Sequence, residues 1–184
     1  MRRSQTLVTL SVASFLLFAP SLVVGQESDL DDLFENLKSV GPEAAQAIES
    51  RIWTEWGRSG SPTLDLLLER GREALQNDDP VRSIEHATAL IDHAPDFAEA
   101  YNLRATAYFQ RGLYGPSIED IRTTLALNPR HFGAMAGLGL VLEELGYAEE
   151  ALEAWREVVS IHPHQMGARE AIERLERMVE GTAL

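Results

Sequence analysis

The chain has 184 residues, 45% of them hydrophobic, enough for one compact domain and too apolar for general disorder. Its 29 acidic residues outweigh 16 basic ones, so nucleic acid and anionic lipid are poor partners because their phosphates would be repelled. Cysteine is absent, which excludes disulfides, thiolate metal sites, a thiol nucleophile and an anchor attached to cysteine.

Residues 1–25 have the layout of an export signal. Arg2 and Arg3 give a positive start, Leu7 to Ala19 an apolar run, Pro20 a break, and Val23 with Gly25 a small-residue cleavage pattern. The apolar run is shorter than the roughly 20 residues that span a bilayer, so cleavage after Gly25 is expected rather than anchoring. Loss of Arg2 and Arg3 leaves 14 basic against 29 acidic residues, a net charge of −15. The expected location is the periplasm or the medium, with no membrane insertion after cleavage.

Residues 26–61 are expected to hold a divergent helical hairpin that caps a helical solenoid. Ser28 can cap a helix carrying Leu30, Leu33, Phe34 and Leu37. Pro42 suits the first turn of a second helix with Ala45, Ile48, Ile52 and Trp56. Trp53 and Trp56 are candidate core residues or binding anchors. Gly57 to Pro62 is the turn out of the pair.

From residue 62 to 165 the chain repeats itself every 34 residues. Pro95, Pro129 and Pro163 recur at that spacing. So do Gly71, Ala105 and Gly139, then Leu67, Tyr101 and Met135, then Ile84, Ile118 and Leu152. The units run over about 64–97, 98–131 and 132–165, and each reads as two helices. Tyr101, Ala105 and Tyr108 share one helical face; Gly112 ends that helix, and Ile118, Ile121 and Leu125 line the next. Asn128-Pro129 stops it, because proline cannot donate into the helical ladder. The third unit repeats the pattern with Gly146 and His162-Pro163, and the first does so with Asp78-Asp79-Pro80 and Ala94-Pro95. The small residue at 71, 105 and 139 lets the two helices of a unit approach closely. Residues 166–184 add a last helix over 166–180 and a tail. Its stripe of Ala168, Ala171, Ile172, Leu175 and Val179 faces inward and its charged face meets water.

These columns resemble the tetratricopeptide repeat family over about residues 64–165. Ser83 and Ser117 stand acceptably where the pattern prefers alanine. Ala74 is small for its column. Leu90, Thr124 and Val158 replace alanine and imply slightly wider helix spacing. Arg70 and Arg104 replace leucine, so their heads should reach solvent or an acidic neighbour. The resemblance implies an all-α solenoid of antiparallel helix pairs whose first helices line a concave groove. By that resemblance the groove holds Asp65, Leu68, Arg72 and Gln76 from the first unit. The second unit supplies Glu99, Asn102, Thr106, Phe109 and Gln110, and the third Gly133, Ala136, Leu140 and Glu143. A lysine- and asparagine-rich clamp for carboxylate chain ends, found in some repeat proteins, is not expected here, because Lys38 is the sole lysine.

No local catalytic motif occurs, and no enzyme, cofactor or metal site is expected. Gly133, Gly137 and Gly139 fall within a helix rather than a phosphate loop. His162-Pro163-His164, with His131, is the one ligand-like group, and a solvated turn explains it. The expected function is binding of a protein or peptide in the groove, as an adaptor or scaffold in the cell envelope. The alternative is a structural module that self-associates into a homo-oligomer through its ends or its N-terminal pair.

Overall fold

The computed structural model describes residues 24–182; residues 1–23 of the expected export signal over 1–25, and the last two residues of the tail, lie outside them. Among the described residues there are nine helices and no strand. They are α1 (Val24–Ser39), α2 (Pro42–Trp56), α3 (Pro62–Gln76), α4 (Pro80–His93), α5 (Ala98–Gln110), α6 (Tyr114–Leu127), α7 (Phe132–Glu144), α8 (Ala148–Ile161) and α9 (Ala168–Thr182). The pairs α3–α4, α5–α6 and α7–α8 are the three 34-residue units, and α9 packs on α8.

Turn chemistry repeats with the units. Asp78, Gly112 and Gly146, 34 residues apart, all take the left-handed conformation at φ 57°, 68° and 80°. The first unit achieves this turn with an aspartate, one of the few non-glycine residues that tolerate it. Asp79 then accepts the Arg82 N–H at 3.1 Å as an N-cap, and Pro80 opens α4, where its missing N–H costs nothing. At the far end of each unit, Ala94, Asn128 and His162 donate their N–H to Leu90, Thr124 and Val158 before the proline ends the helix. Leu90, Thr124 and Val158 are themselves completely buried.

The small-residue column has the expected cause in the third unit. A Cβ on Gly139 would lie 2.8 Å from the indole Nε1 of Trp155 on α8, the partner helix of the same unit. In the first unit the pressure comes mainly from the next one: a Cβ on Gly71 would meet Leu103 Cδ2 on α5 at 2.5 Å. Ala105 is buried, and the Ser117 hydroxyl donates to its carbonyl at 2.9 Å, which accounts for serine at 117; the buried Ser83 hydroxyl in the same column has no partner among the described residues. Arg104 meets an acid, as its sequence position suggests. It holds Asp120 through two bonds of 2.7 and 2.8 Å, and Nη1 donates to Thr88 at 3.3 Å. Arg70 is exposed.

The N-terminal hairpin departs from expectation. It does not cap the stack at α3. The stripes Ala100–Leu103–Ala107 on α5 and Ala134 with Val141 on α7 are buried against the preceding unit. The matching face of α3 carries Leu66, Glu69 and Glu73, and it stays exposed. Two acids in that stripe already solvate the end of the solenoid, so the hairpin's apolar side must find cover elsewhere. It packs beside the inter-unit turns at 128–132 and 161–165. There Leu33, Phe34, Leu37, Ala45 and Ile52 form one core with Phe132, flanked by Trp53, Trp56 and Ile161. Arg130 ties the same edge together, 2.7 Å from Asp31 and 4.3 Å from the centre of the Phe34 ring.

Two helix starts also differ from expectation. α1 begins at Val24, so Ser28 lies inside the helix rather than capping it, and the expected cut after Gly25 falls in the first turn. α9 begins at Ala168 rather than 166, because Gly167 turns left-handed at φ 74° immediately before it.

Candidate functional site

Helices α5 and α7 present one side to a cavity of about 270 Å³. Its floor is made of small residues: Ala105, Gly133, Ala134, Ala136 and Gly137. Asn102, Thr106 and Phe109 rise from α5, Leu140 from α7, and Trp53 of the hairpin closes one end. A Cβ on Gly133 would overlap Cη2 of Trp53 and lie 2.8 Å from its Cζ2, so glycine is what lets the indole settle on α7. Gln165 reaches the cavity from the turn before α9, and its buried Oε1 has no hydrogen-bond partner among the described residues.

Of the groove residues expected from sequence, Asn102, Thr106, Phe109, Ala136 and Leu140 therefore share one cavity. Gly133, also expected there, joins them. Leu68 does not. It is 2% exposed and belongs to the core between α3, α4 and α5 with Ala87, Leu90, Ala100 and Leu103. Ala100 and Leu103, from the next unit, cover it. Gln76 and Gln110 are exposed in the last turns of α3 and α5, away from the cavity lining. Asp65 is occupied by the Ser59 hydroxyl at 2.5 Å and the Ser59 N–H at 2.8 Å, bonds that fix the turn into α3. They also hold its carboxyl below the ordinary aspartate value. Glu143 accepts the Trp155 indole N–H at 2.7 Å and pairs with Arg174. It thereby orients the core tryptophan instead of lining the cavity.

Arg72 and Glu99 meet beneath the hairpin. Glu99 is 2% exposed; its Oε2 accepts from Asn102 Nδ2 at 3.2 Å. Its Oε1 is 3.6 Å from both Arg72 Nη2 and His131 Nε2. His131 Nδ1 accepts the Ala134 N–H at 3.0 Å, which caps α7 and places the neutral ring's proton on Nε2, facing Glu99. Burial pushes the Glu99 carboxyl upward. His131, Arg72 and Asn102 outweigh it, and the group stays ionised below the ordinary range. Trp56 stacks on the His131 ring at 4.3 Å and seals the pair from water.

The histidines at 162 and 164 are not in a solvated turn. His162 is 1% exposed and its Nε2 donates to Glu49 at 3.2 Å, while His164 Nε2 donates to the Val40 carbonyl at 2.9 Å. The hairpin covers the turn and uses both rings to hold itself in place. No group of three or more metal-ligating side chains occurs among the described residues. Sequence reasoning offered Trp53 as a core residue or binding anchor without placing it in this groove, and it missed Gln165. Trp53 lies outside the repeats, and Gln165 falls in a column whose residue changes from Phe97 to His131 to Gln165, so the 34-residue period could not locate them.

Comparison with known proteins accords with this architecture. A tetratricopeptide repeat family model matches residues 68–119 and 117–165. The chain belongs to the tetratricopeptide repeat family. A TPR repeat-containing protein of Rhizobium etli is 35% identical over 153 residues, 83% of this chain and 75% of the relative. The small glutamine-rich tetratricopeptide repeat-containing protein 2 of Saccharomyces cerevisiae is 28% identical, and the match covers 71% of this chain but 37% of that protein. Among solved structures, the Sgt2 TPR domain from Aspergillus fumigatus superposes with a TM-score of 0.63 at 22% identity, covering 67% of this chain and 83% of that one. The first TPR of Spaghetti (RPAP3), bound to the HSP90 peptide SRMEEVD, gives 0.61 at 21% identity, over 64% of this chain and 95% of that one. At these identities the structural likeness establishes the fold of this tetratricopeptide chain.

Proposed function

We propose that the protein binds a segment of another protein in the cavity between α5 and α7, and serves as a non-enzymatic adaptor or scaffold of the cell envelope. The observation that carries this reading is the open, largely apolar cavity lined by Thr106, Phe109 and Leu140 on a rigid pair of helices. The peptide-bound RPAP3 domain, which shares the fold, supports it by analogy. The export pattern in residues 1–25 supports an extracytoplasmic location, and no described helix is long and apolar enough to cross a membrane.

The test is capture from an envelope extract of the source cell, comparing the parent chain with a Phe109→Ala, Leu140→Ser double variant. Both side chains are partly exposed, so the variant should keep its helical circular dichroism. A protein held by the parent and released by the folded variant supports the reading; equal capture by both sinks it. Osmotic-shock fractionation tests the location.

A further inference from the structure

We propose that this groove selects an uncharged segment carrying a bulky apolar side chain, and that it turns away acidic chain ends. This deepens the peptide-binding reading above and rests on it.

Shape is the first argument. The floor is built from Ala105, Gly133 and Gly137, so the space between the Phe109, Leu140 and Trp53 side chains is left for a ligand to fill. A volume of about 270 Å³ has room for an aromatic or leucine side chain.

Charge is the second. No cation lines the groove, and arginines around it are already committed to acids of this chain. Arg72 faces buried Glu99, Arg104 is clamped on Asp120, and Arg174 pairs with Glu143. The sole lysine, Lys38, lines a separate cavity on α1 beside Asp31 and Glu35. Glu99, bonded to Asn102 at the groove margin, has its charge offset by Arg72, so the lining offers an acidic peptide no free cation. A peptide such as SRMEEVD, which the RPAP3 domain holds, would bring three acidic side chains and a carboxylate against this lining.

The third argument is the inner end of Gln165. Its Oε1 is buried at the cavity wall without a donor among the described residues, and a buried acceptor left unpaired is costly. A rotation of the Gln165 side chain, which lines the cavity, would bring this acceptor to a backbone N–H of an inserted segment.

The experiment selects a phage-displayed library of random 12-residue peptides on the immobilised chain, produced with its leader so that processing can occur. SRMEEVD is titrated separately. The control variant is Gly137→Leu. A Cβ at 137 meets only Ile121 Cδ1, at 3.7 Å, so the fold accepts it and the longer side chain fills the cavity; circular dichroism checks this. The expected result is enrichment of Leu, Phe, Trp or Met with acids depleted. Affinity should fall at least tenfold in Gly137→Leu, and SRMEEVD should bind at least tenfold more weakly than the best enriched peptide. Enrichment of acidic sequences, or equally tight binding of SRMEEVD, overturns the selectivity and leaves peptide binding standing. Apolar peptides that ignore Gly137→Leu overturn the placement in this groove. If nothing is enriched and SRMEEVD does not bind, the peptide-binding reading itself falls.

Discussion

The imidazole of His162 lies 3.2 Å from the carboxylate of Glu49, although 113 residues separate them in the chain. The contact joins the second helix to the end of the third repeat unit. Glu49 is also the acceptor for the Trp53 indole N–H at 3.2 Å, so one carboxylate fixes both the hairpin and the tryptophan that closes the groove.

That carboxylate makes hairpin docking sensitive to acid. The His162 hydrogen bond lowers the Glu49 value below its ordinary 4.5; burial opposes this, and Trp53 and the His162 charge add to the lowering. A carboxyl with a lowered folded value contributes fully above its unfolded value, and the contribution disappears as pH falls through the folded one. Glu49→Gln should therefore cost about 1 kcal/mol near neutral pH. The gap to the parent should close below the ordinary carboxylate range. Urea unfolding at several pH values between 7 and 3 measures it; a gap still fully open at pH 3 contradicts the assignment.

Two glycines on α7 should respond in opposite ways. Gly139→Ala presses a methyl group to within 3 Å of the Trp155 ring and should cost about 1–3 kcal/mol. Gly137→Ala finds ordinary contact at 3.7 Å and gains helix propensity, so it should be neutral or stabilising by up to about 1 kcal/mol. Thermal melts followed by circular dichroism distinguish them, and Gly139→Leu should be worse than Gly139→Ala.

The Arg104–Asp120 pair offers a natural double-mutant cycle. The equivalent positions one unit later are Leu138 and Ala154. Asp120→Ala alone strands a half-buried guanidinium and should cost about 2–3 kcal/mol. Arg104→Leu with Asp120→Ala copies the third unit and should recover most of that loss. A double variant less stable than Asp120→Ala alone would show that the ion pair is a net stabiliser.

Trp53 should report the state of the hairpin. Gly133→Val removes the space its indole occupies on α7, so the ring must leave. The expected signs are a red-shifted tryptophan emission and faster proteolysis in the 57–62 turn. Unchanged emission would place the ring elsewhere.

The repeat period made the fold legible, because each 34-residue unit must satisfy the same turn and packing constraints. Pro129, Gly112 and Gly139 carry that information locally. The candidate groove was partly legible for the same reason, through Asn102, Thr106, Phe109 and Leu140. Leu68 was misplaced because the following unit covers it: Leu103 of α5 stands where Gly137 stands one unit later, and it shares a core with Leu68 instead of leaving a cavity. The hairpin's destination was invisible. Nothing in the local pattern of Trp53 or Trp56 says which distant surface offers a buried histidine to stack on, and His131 and His162 show no period at all.

A solenoid whose units touch only their neighbours can unravel from either end, one unit after another. Here the first two helices reach across to the turns that close the second and third units. The array is thereby fastened back on itself, and losing its last helices means also losing the cover over Phe132 and His131. Unfolding should be all-or-none rather than stepwise for as long as the 57–62 strap is intact. Cutting that strap would give back the gradual fraying of an open stack.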